Sequence, residues 1–189
     1  LPHILLFAPS WILVSEKDAT FIHLLEQEIW ERYPCIVVSG KGRPDVQTRQ
    51  FLRILQKKLK IPAFGISDCD PQGLQLMLNY AHGSNQMAGE TPELVADDFY
   101  WLGVRPKDVK EMKFVEYYTP KPYKKPEMKT LNRLKNVPSV KHNPQLVKEL
   151  GVMEKMGIKH ELSMFSAEGE ETITDYVLKK IAARDFIKL

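Results

Sequence analysis

Short apolar runs alternate with amphipathic stretches along the first hundred residues of the chain. The runs are rich in β-branched and aromatic residues, as buried strands are, and they cover residues 12–16, 35–39, 63–68 and 99–102. Apolar residues then recur at helical spacing, as at Phe21, Leu25 and Ile29 after the first run. Strands separated by helices of this length predict a mostly parallel, four-stranded α/β sheet with helices on both faces.

The second half of the chain has a different character. Six of the 13 prolines lie between Pro106 and Pro144, interleaved with lysine and tyrosine, which predicts an irregular connection along the surface. Apolar spacing predicts two further helices at 145–156 and 172–183. We therefore divide the chain into a core, residues 1–110, and a basic, proline-rich connection with C-terminal helices that pack on this core, residues 111–189.

Composition excludes several classes of protein. With 43% hydrophobic and 27% charged residues among 189, the chain is neither disordered, collagen-like nor a coiled coil. No apolar run approaches the ~20 residues that a membrane-spanning helix needs, so no membrane partner is expected. Two cysteines cannot form a disulfide framework, which favours a reducing compartment.

The net charge of +3 hides an uneven distribution. Residues 105–148 hold 12 basic and 4 acidic residues, a net charge of +8, which leaves −5 for the remainder. Such a segment suits a nucleic acid or an acidic protein as partner, although a solvated, lysine-rich helical surface has the same composition.

Three carboxylates follow predicted strands. Glu16 ends the first strand, and Asp68 and Asp70 end the third. Ligands gather at the carboxyl ends of parallel strands, and a cluster of carboxylates there suits Mg²⁺. Without a cation, the three charges would repel one another and destabilise the fold. Alternatively, Asp68 and Asp70 cap the helix that begins at Pro71.

Four linked motifs carry a resemblance to a known family. They read VSEKDATF at 14–21, SGKGRPD at 39–45, DCDPQG at 68–73 and WLGVRP at 101–106. Over roughly the first 110 residues, their order and spacing resemble those of a Toprim domain. This Toprim domain is found in the A-type chain of topoisomerase VI and in its relative, the meiotic double-strand-break protein. This likeness implies a Rossmann-like Toprim core and favours the meiotic protein over the topoisomerase.

The resemblance also implies a chemistry. In the family, a tyrosine oxygen attacks a DNA phosphodiester and forms a 5′-phosphotyrosyl link, while Toprim carboxylates bind the metal. Carried over residue by residue, Glu16, Asp68 and Asp70 would be the ligands of Mg²⁺. The family further implies a homodimer on double-stranded DNA, a nuclear location and a second, B-type topoisomerase-like subunit.

Other residues of these motifs suggest DNA contacts. Lys41 and Arg43 lie on a glycine turn after a strand, where they could contact phosphates, and Arg49 follows one turn into the next helix. Arg49 could instead pair with Asp45. Arg43 departs from the family pattern, in which an aromatic residue is common there. Gln72 departs as well, because an aromatic residue or histidine is common at its position.

The nucleophile is expected outside this chain. In the family, the tyrosine lies in a winged-helix domain before the Toprim domain, and none of the seven tyrosines here occupies that context. We therefore expect no catalytic tyrosine in this chain and no cleavage by the chain alone. Two other functions fit the acidic cluster, namely a primase or nuclease, and a binding module in which the carboxylates are purely structural.

Overall fold

The protein is built around a five-stranded sheet. The computed structural model describes residues 8–42, 45–83, 96, 98–112, 118–165 and 172–189. The strands of the main sheet, in chain order, are β1 (Trp11–Ser15), β2 (Cys35–Ser39), β3 (Ala63–Ile66), β4 (Phe99–Gly103) and β7 (Ile187–Lys188). Their spatial order is β2-β1-β3-β4-β7, with every pair parallel except β4 and β7. The prediction of a mostly parallel α/β fold is confirmed.

Helices connect the strands and cover both faces of the sheet. In chain order they are α1 (Asp18–Glu26), α2 (Ile29–Arg32), α3 (Val46–Leu59), α4 (Pro71–His82), α5 (Pro106–Val109), α6 (Lys125–Leu134), α7 (Pro138–Lys141), α8 (Pro144–Met156) and α9 (Ile173–Ala182). Two short strands, β5 (Lys121–Pro122) and β6 (Ile158–Lys159), form a separate antiparallel pair.

The alternating directions of side chains along the strands produce two hydrophobic cores, one on each face of the sheet. Ile12 and Val14 of β1 lie in one core, with residues of α3, α4, α6 and α8, whereas Trp11 and Leu13 lie in the other, with residues of α1 and α9. Successive side chains of a strand point to opposite faces, so an apolar strand such as β1 supplies both cores.

Two expectations about the second half of the chain need correction. The pattern predicted four strands, and the structure adds β7, which extends the sheet beyond β4. The prediction of an irregular connection over residues 106–144 is wrong for its described part, which contains α5, α6 and α7. Pro106, Pro126 and Pro138 stand in the first turns of these helices, where the missing N–H leaves no backbone hydrogen bond unmade. Pro120 and Pro122 lie outside them, before and within β5.

The structure also bears on the cysteines and on membrane-spanning helices. Cys35 and Cys69 are both free thiols. Within the described ranges, no helix is long and apolar enough to cross a membrane.

Candidate functional site

The carboxyl edge of the sheet brings Glu16 and Asp68 into contact. Strands β1 and β3 are parallel neighbours with Ser15 opposite Ile66, so the residues that follow them emerge side by side. The backbone N–H of Asp68 donates a hydrogen bond of 2.9 Å to Glu16 Oε2. The strand-end argument therefore places these two acidic residues correctly.

Asp70 is the N-cap of α4. Its Oδ1 accepts hydrogen bonds from the backbone N–H groups of Gln72 and Gly73, both at 2.8 Å. The capping alternative is therefore confirmed for Asp70. This role occupies one oxygen of the carboxylate, and no hydrogen bond to Oδ2 is found within the described part of the chain.

Asp68 is held through both oxygens instead. Its Oδ1 accepts a hydrogen bond of 2.7 Å from the backbone N–H of Leu162, and its Oδ2 lies 2.7 Å from Lys17 Nζ. Asp68 is only 8% exposed, so these contacts replace water around its charge.

Burial sets the electrostatics of this edge. Burial and the nearby charge of Asp68 raise the pKa of Glu16 to about 7. Burial also raises the pKa of Asp70, against the opposing effect of the Gly73 N–H. Although burial opposes the charge of Lys17, its hydrogen bond to Asp68 raises the pKa of this ammonium. Glu16 and Asp70 therefore ionise less readily than usual, which a bound cation would reverse.

The three carboxylates suit a divalent metal in their chemistry but are not arranged around a common point. Within the ranges that the structure describes, no group of three His, Cys, Asp or Glu side chains could hold a metal ion as placed. Two contacts accompany this arrangement, because Asp68 is paired with Lys17 and Asp70 is hydrogen-bonded to the first turn of α4. Hard oxygen donors on neighbouring strand ends remain the donor set that Mg²⁺ prefers.

The glycine turn after β2 lies beside this acidic edge. The backbone N–H of Gly40 donates to Ser15 O at 2.9 Å, and that of Gly42 donates to Glu16 O at 2.7 Å. Lys41, between them, is exposed and has a positive φ of 49°. Lys41 is therefore exposed on a turn whose backbone is hydrogen-bonded to that of Glu16.

The other two predicted DNA contacts have different outcomes. Arg43 lies outside the described residues. Arg49 is only 3% exposed, on the same face of α3 as Leu52 and Gln56. Arg49 is therefore buried in this structure, whereas a contact with a phosphate would need its guanidinium at the surface.

Pattern reasoning missed two parts of the site. Lys17 directly follows Glu16, and a lysine beside a strand-end carboxylate is a signal that could have been used. The segment that contains β6 gave no such signal, since it lies about ninety positions along the chain from Asp68. There, Cys69 and His160 exchange backbone hydrogen bonds of 2.8 and 3.3 Å, which fixes Leu162 against Asp68.

Comparison with known proteins identifies the family. Residues 11–181 match the Toprim domain of the topoisomerase 6 A-type subunit and Spo11. The chain is 36% identical over 178 residues to the A-type subunit of DNA topoisomerase 6 from Arabidopsis thaliana, and the match covers 94% of this chain and 42% of that protein. It is 34% identical over 158 residues to meiotic recombination protein SPO11 of Mus musculus, covering 81% of this chain and 39% of that protein.

These matches extend well past the motifs that carried the resemblance. The matched region ends at residue 181, within α9, so it includes β5, β6 and the helices of the second half. The chain spans less than half the length of the curated relatives named above. The chain therefore belongs to the family of Spo11 and the topoisomerase 6 A-type subunit, whose Toprim domain it carries.

Proposed function

We propose that this chain is the metal-binding Toprim part of a DNA-cleaving transesterase that makes meiotic double-strand breaks. One observation supports it most strongly within the molecule: Glu16 and Asp68 meet at the carboxyl ends of adjacent strands, beside the turn that presents Lys41. An acidic edge next to an exposed cation can serve a metal and a phosphate together. Family membership supplies the reaction class.

The proposed reaction exchanges one phosphoester for another. A tyrosine oxygen, from a domain outside this chain, attacks a DNA phosphorus atom, and the bond from that phosphorus to the 3′ oxygen breaks. The products are a 5′-phosphotyrosyl link and a free 3′ hydroxyl. In a homodimer, the tyrosine of one protomer would act beside the acidic edge of the other.

The residues of this chain would bind and orient rather than react. Glu16, Asp68 and Asp70 would hold Mg²⁺, which when bound supplies positive charge against a phosphate. Lys41 would contact the DNA backbone, and Leu162 would fix the orientation of Asp68 through its N–H. The proposal further includes binding of the protein to duplex DNA as a homodimer in the nucleus. A B-type topoisomerase-like subunit would complete the assembly.

Binding of DNA is tested by a charge reversal with a matched control. Lys41→Glu is compared with Lys57→Glu, an exposed lysine in the last turn of α3. We expect Lys41→Glu to weaken binding to unrelated duplexes alike and to reduce the salt dependence, because its contacts go to phosphates. Fluorescence anisotropy at several salt concentrations measures both effects. Equal losses in the two variants would contradict a phosphate contact at Lys41.

Catalysis is tested separately with supercoiled plasmid and Mg²⁺. The chain alone should leave the plasmid intact, because the proposed nucleophile is outside it. Metal-dependent nicking that disappears in Asp70→Asn would instead indicate a nuclease.

The A-type subunit of topoisomerase VI is the second candidate. The chain is 36% and 37% identical to two plant topoisomerase 6 subunits, against 35% and 34% for meiotic recombination proteins of Arabidopsis thaliana and Mus musculus. The two functions are distinguished by an assay on a protein that also contains the proposed tyrosine domain, combined with a B-type subunit. ATP-dependent relaxation of supercoiled plasmid would favour the topoisomerase, and covalent breaks without relaxation would favour the meiotic protein.

A further inference from the structure

The ammonium group of Lys17 lies within the acidic edge. Its Nζ is 2.7 Å from Asp68 Oδ2, and its side chain is 36% exposed, against 11% for that of Asp68. Glu16 and Glu161 add further electrostatic attraction to the same group. Lys17 therefore stands where negative charge from three carboxylates overlaps.

The two oxygens of Asp68 differ in how firmly they are held. Oδ1 binds the backbone N–H of Leu162, which the Cys69–His160 bridge holds in place. The contact that Oδ2 makes among the described residues is different, because it is made with the end of a long lysine side chain that is 36% exposed. A metal ion that used Asp68 through Oδ2 would therefore have to compete with Lys17.

We propose that Lys17 is an internal counter-ion of the acidic edge, which pairs with Asp68 until a divalent cation displaces it. The inference rests on the proposed function, in which Glu16, Asp68 and Asp70 bind Mg²⁺. It explains why these carboxylates do not converge in the structure, since one of them is already paired. Displacement would release an ammonium group on the same edge of the sheet as Lys41, adding a cation to the proposed DNA face.

Metal affinity is the first test. Mg²⁺ is titrated calorimetrically into wild type, Lys17→Met and Lys135→Met, a control that removes an equal charge from the distant pair of Lys135 with Glu154. We expect Lys17→Met to bind Mg²⁺ on the order of tenfold more tightly, because no ammonium competes for Asp68. Lys135→Met should bind like wild type.

Displacement itself is the second test, because removal of a nearby positive charge would raise affinity even without competition. Wild-type protein is pulse-labelled with an amine-acetylating reagent, and modification of each lysine is measured by mass spectrometry. Saturation with Mg²⁺ should raise the labelling rate of Lys17 severalfold and leave that of Lys135 unchanged. In Asp68→Asn, Lys17 should label rapidly with or without Mg²⁺.

The outcomes separate this inference from the proposed function. Mg²⁺ could bind wild type and Lys17→Met with equal affinity and leave the labelling rate of Lys17 unchanged. In that case the counter-ion inference is wrong and the metal site stands. Tighter binding to Lys17→Met with unchanged labelling of Lys17 would also overturn displacement. If neither wild type nor Lys17→Met binds Mg²⁺ at millimolar concentration, the metal site of the proposed function fails together with the inference.

Discussion

A buried ion pair between α5 and α9 provides a quantitative test of the fold. Asp108 Oδ1 lies 2.9 Å from Lys180 Nζ. Asp108 Oδ2 accepts hydrogen bonds from the Tyr176 hydroxyl at 2.7 Å and from the backbone N–H of Arg105 at 3.0 Å. Asp108 is 9% exposed and Lys180 is 5% exposed. Lys180→Met removes the cation and leaves a buried carboxylate with Arg105 Nε, 3.7 Å away, as its neighbouring positive charge.

The expected loss of folding stability in Lys180→Met depends on the partners that remain for Asp108 and Asp185. Removing one member of a buried ion pair costs about 3–5 kcal/mol. Arg105 still offsets part of the charge of Asp108, and Asp185, the second partner of Lys180, is a third exposed and keeps Lys107. The lower end, about 3 kcal/mol, therefore applies. At ~2–4 °C per kcal/mol for a chain of this size, the Tm should fall by roughly 6–12 °C.

Urea denaturation and thermal melts measure this loss against a neighbour on the same helix. Lys179→Met removes an equal charge from an exposed position of α9, where a surface ion contact is worth ~0–1 kcal/mol, so stability should change by no more than ~1 kcal/mol. Tyr176→Phe should cost ~1–3 kcal/mol by taking one hydrogen bond from Asp108. If Lys180→Met unfolds like Lys179→Met, the pair contributes nothing net and the reasoning is refuted.

Two further predictions concern the acidic edge and the glycine turn. Glu16 has a pKa of about 7 in the folded protein against 4.5 ordinarily, so between these pH values the folded state keeps a proton that the unfolded state has lost, and stability falls as pH rises. In chelator, Glu16→Gln should therefore match wild type near pH 4 and exceed its Tm above pH 7; a constant difference across pH would contradict this. Gly40→Ala should cost ~1–3 kcal/mol, because a Cβ there would collide with Tyr80 Oη. Tyr80→Phe should restore part of that loss, since this hydroxyl has no hydrogen-bond partner among the described residues, and urea denaturation of the double variant measures the restoration.

The parallel core could be predicted from sequence because its signals are local. Each of the first four strands is an apolar run long enough to recognise, and the helices between them repeat apolar residues on one face. Strand β7 is only two residues long, Ile187–Lys188, and its existence depends on pairing with Trp101 and Tyr100. No local pattern marks such a strand.

Individual side chains were harder to place than elements. The prediction for Arg49 treated it as a cation of a surface motif, whereas the periodicity of α3 puts it on the face of Leu52. That face was readable in the sequence. The contact of Leu162 with Asp68 was not, because it joins residues 94 positions apart through backbone geometry that side-chain patterns do not encode.

The pairing of Lys17 changes what the acidic edge contributes to stability. Three carboxylates on neighbouring strand ends were expected to repel one another, so that Glu16→Gln or Asp68→Asn would stabilise the metal-free protein. Asp68 instead has a cation at 2.7 Å, and its neutralisation would leave a half-buried ammonium without this partner. Relief of repulsion is thus expected at Glu16, where burial and Asp68 both oppose the charge, and not at Asp68. A fold that carries its own cation at this edge needs no metal in order to form, and under the counter-ion proposal it would bind Mg²⁺ more weakly for that reason.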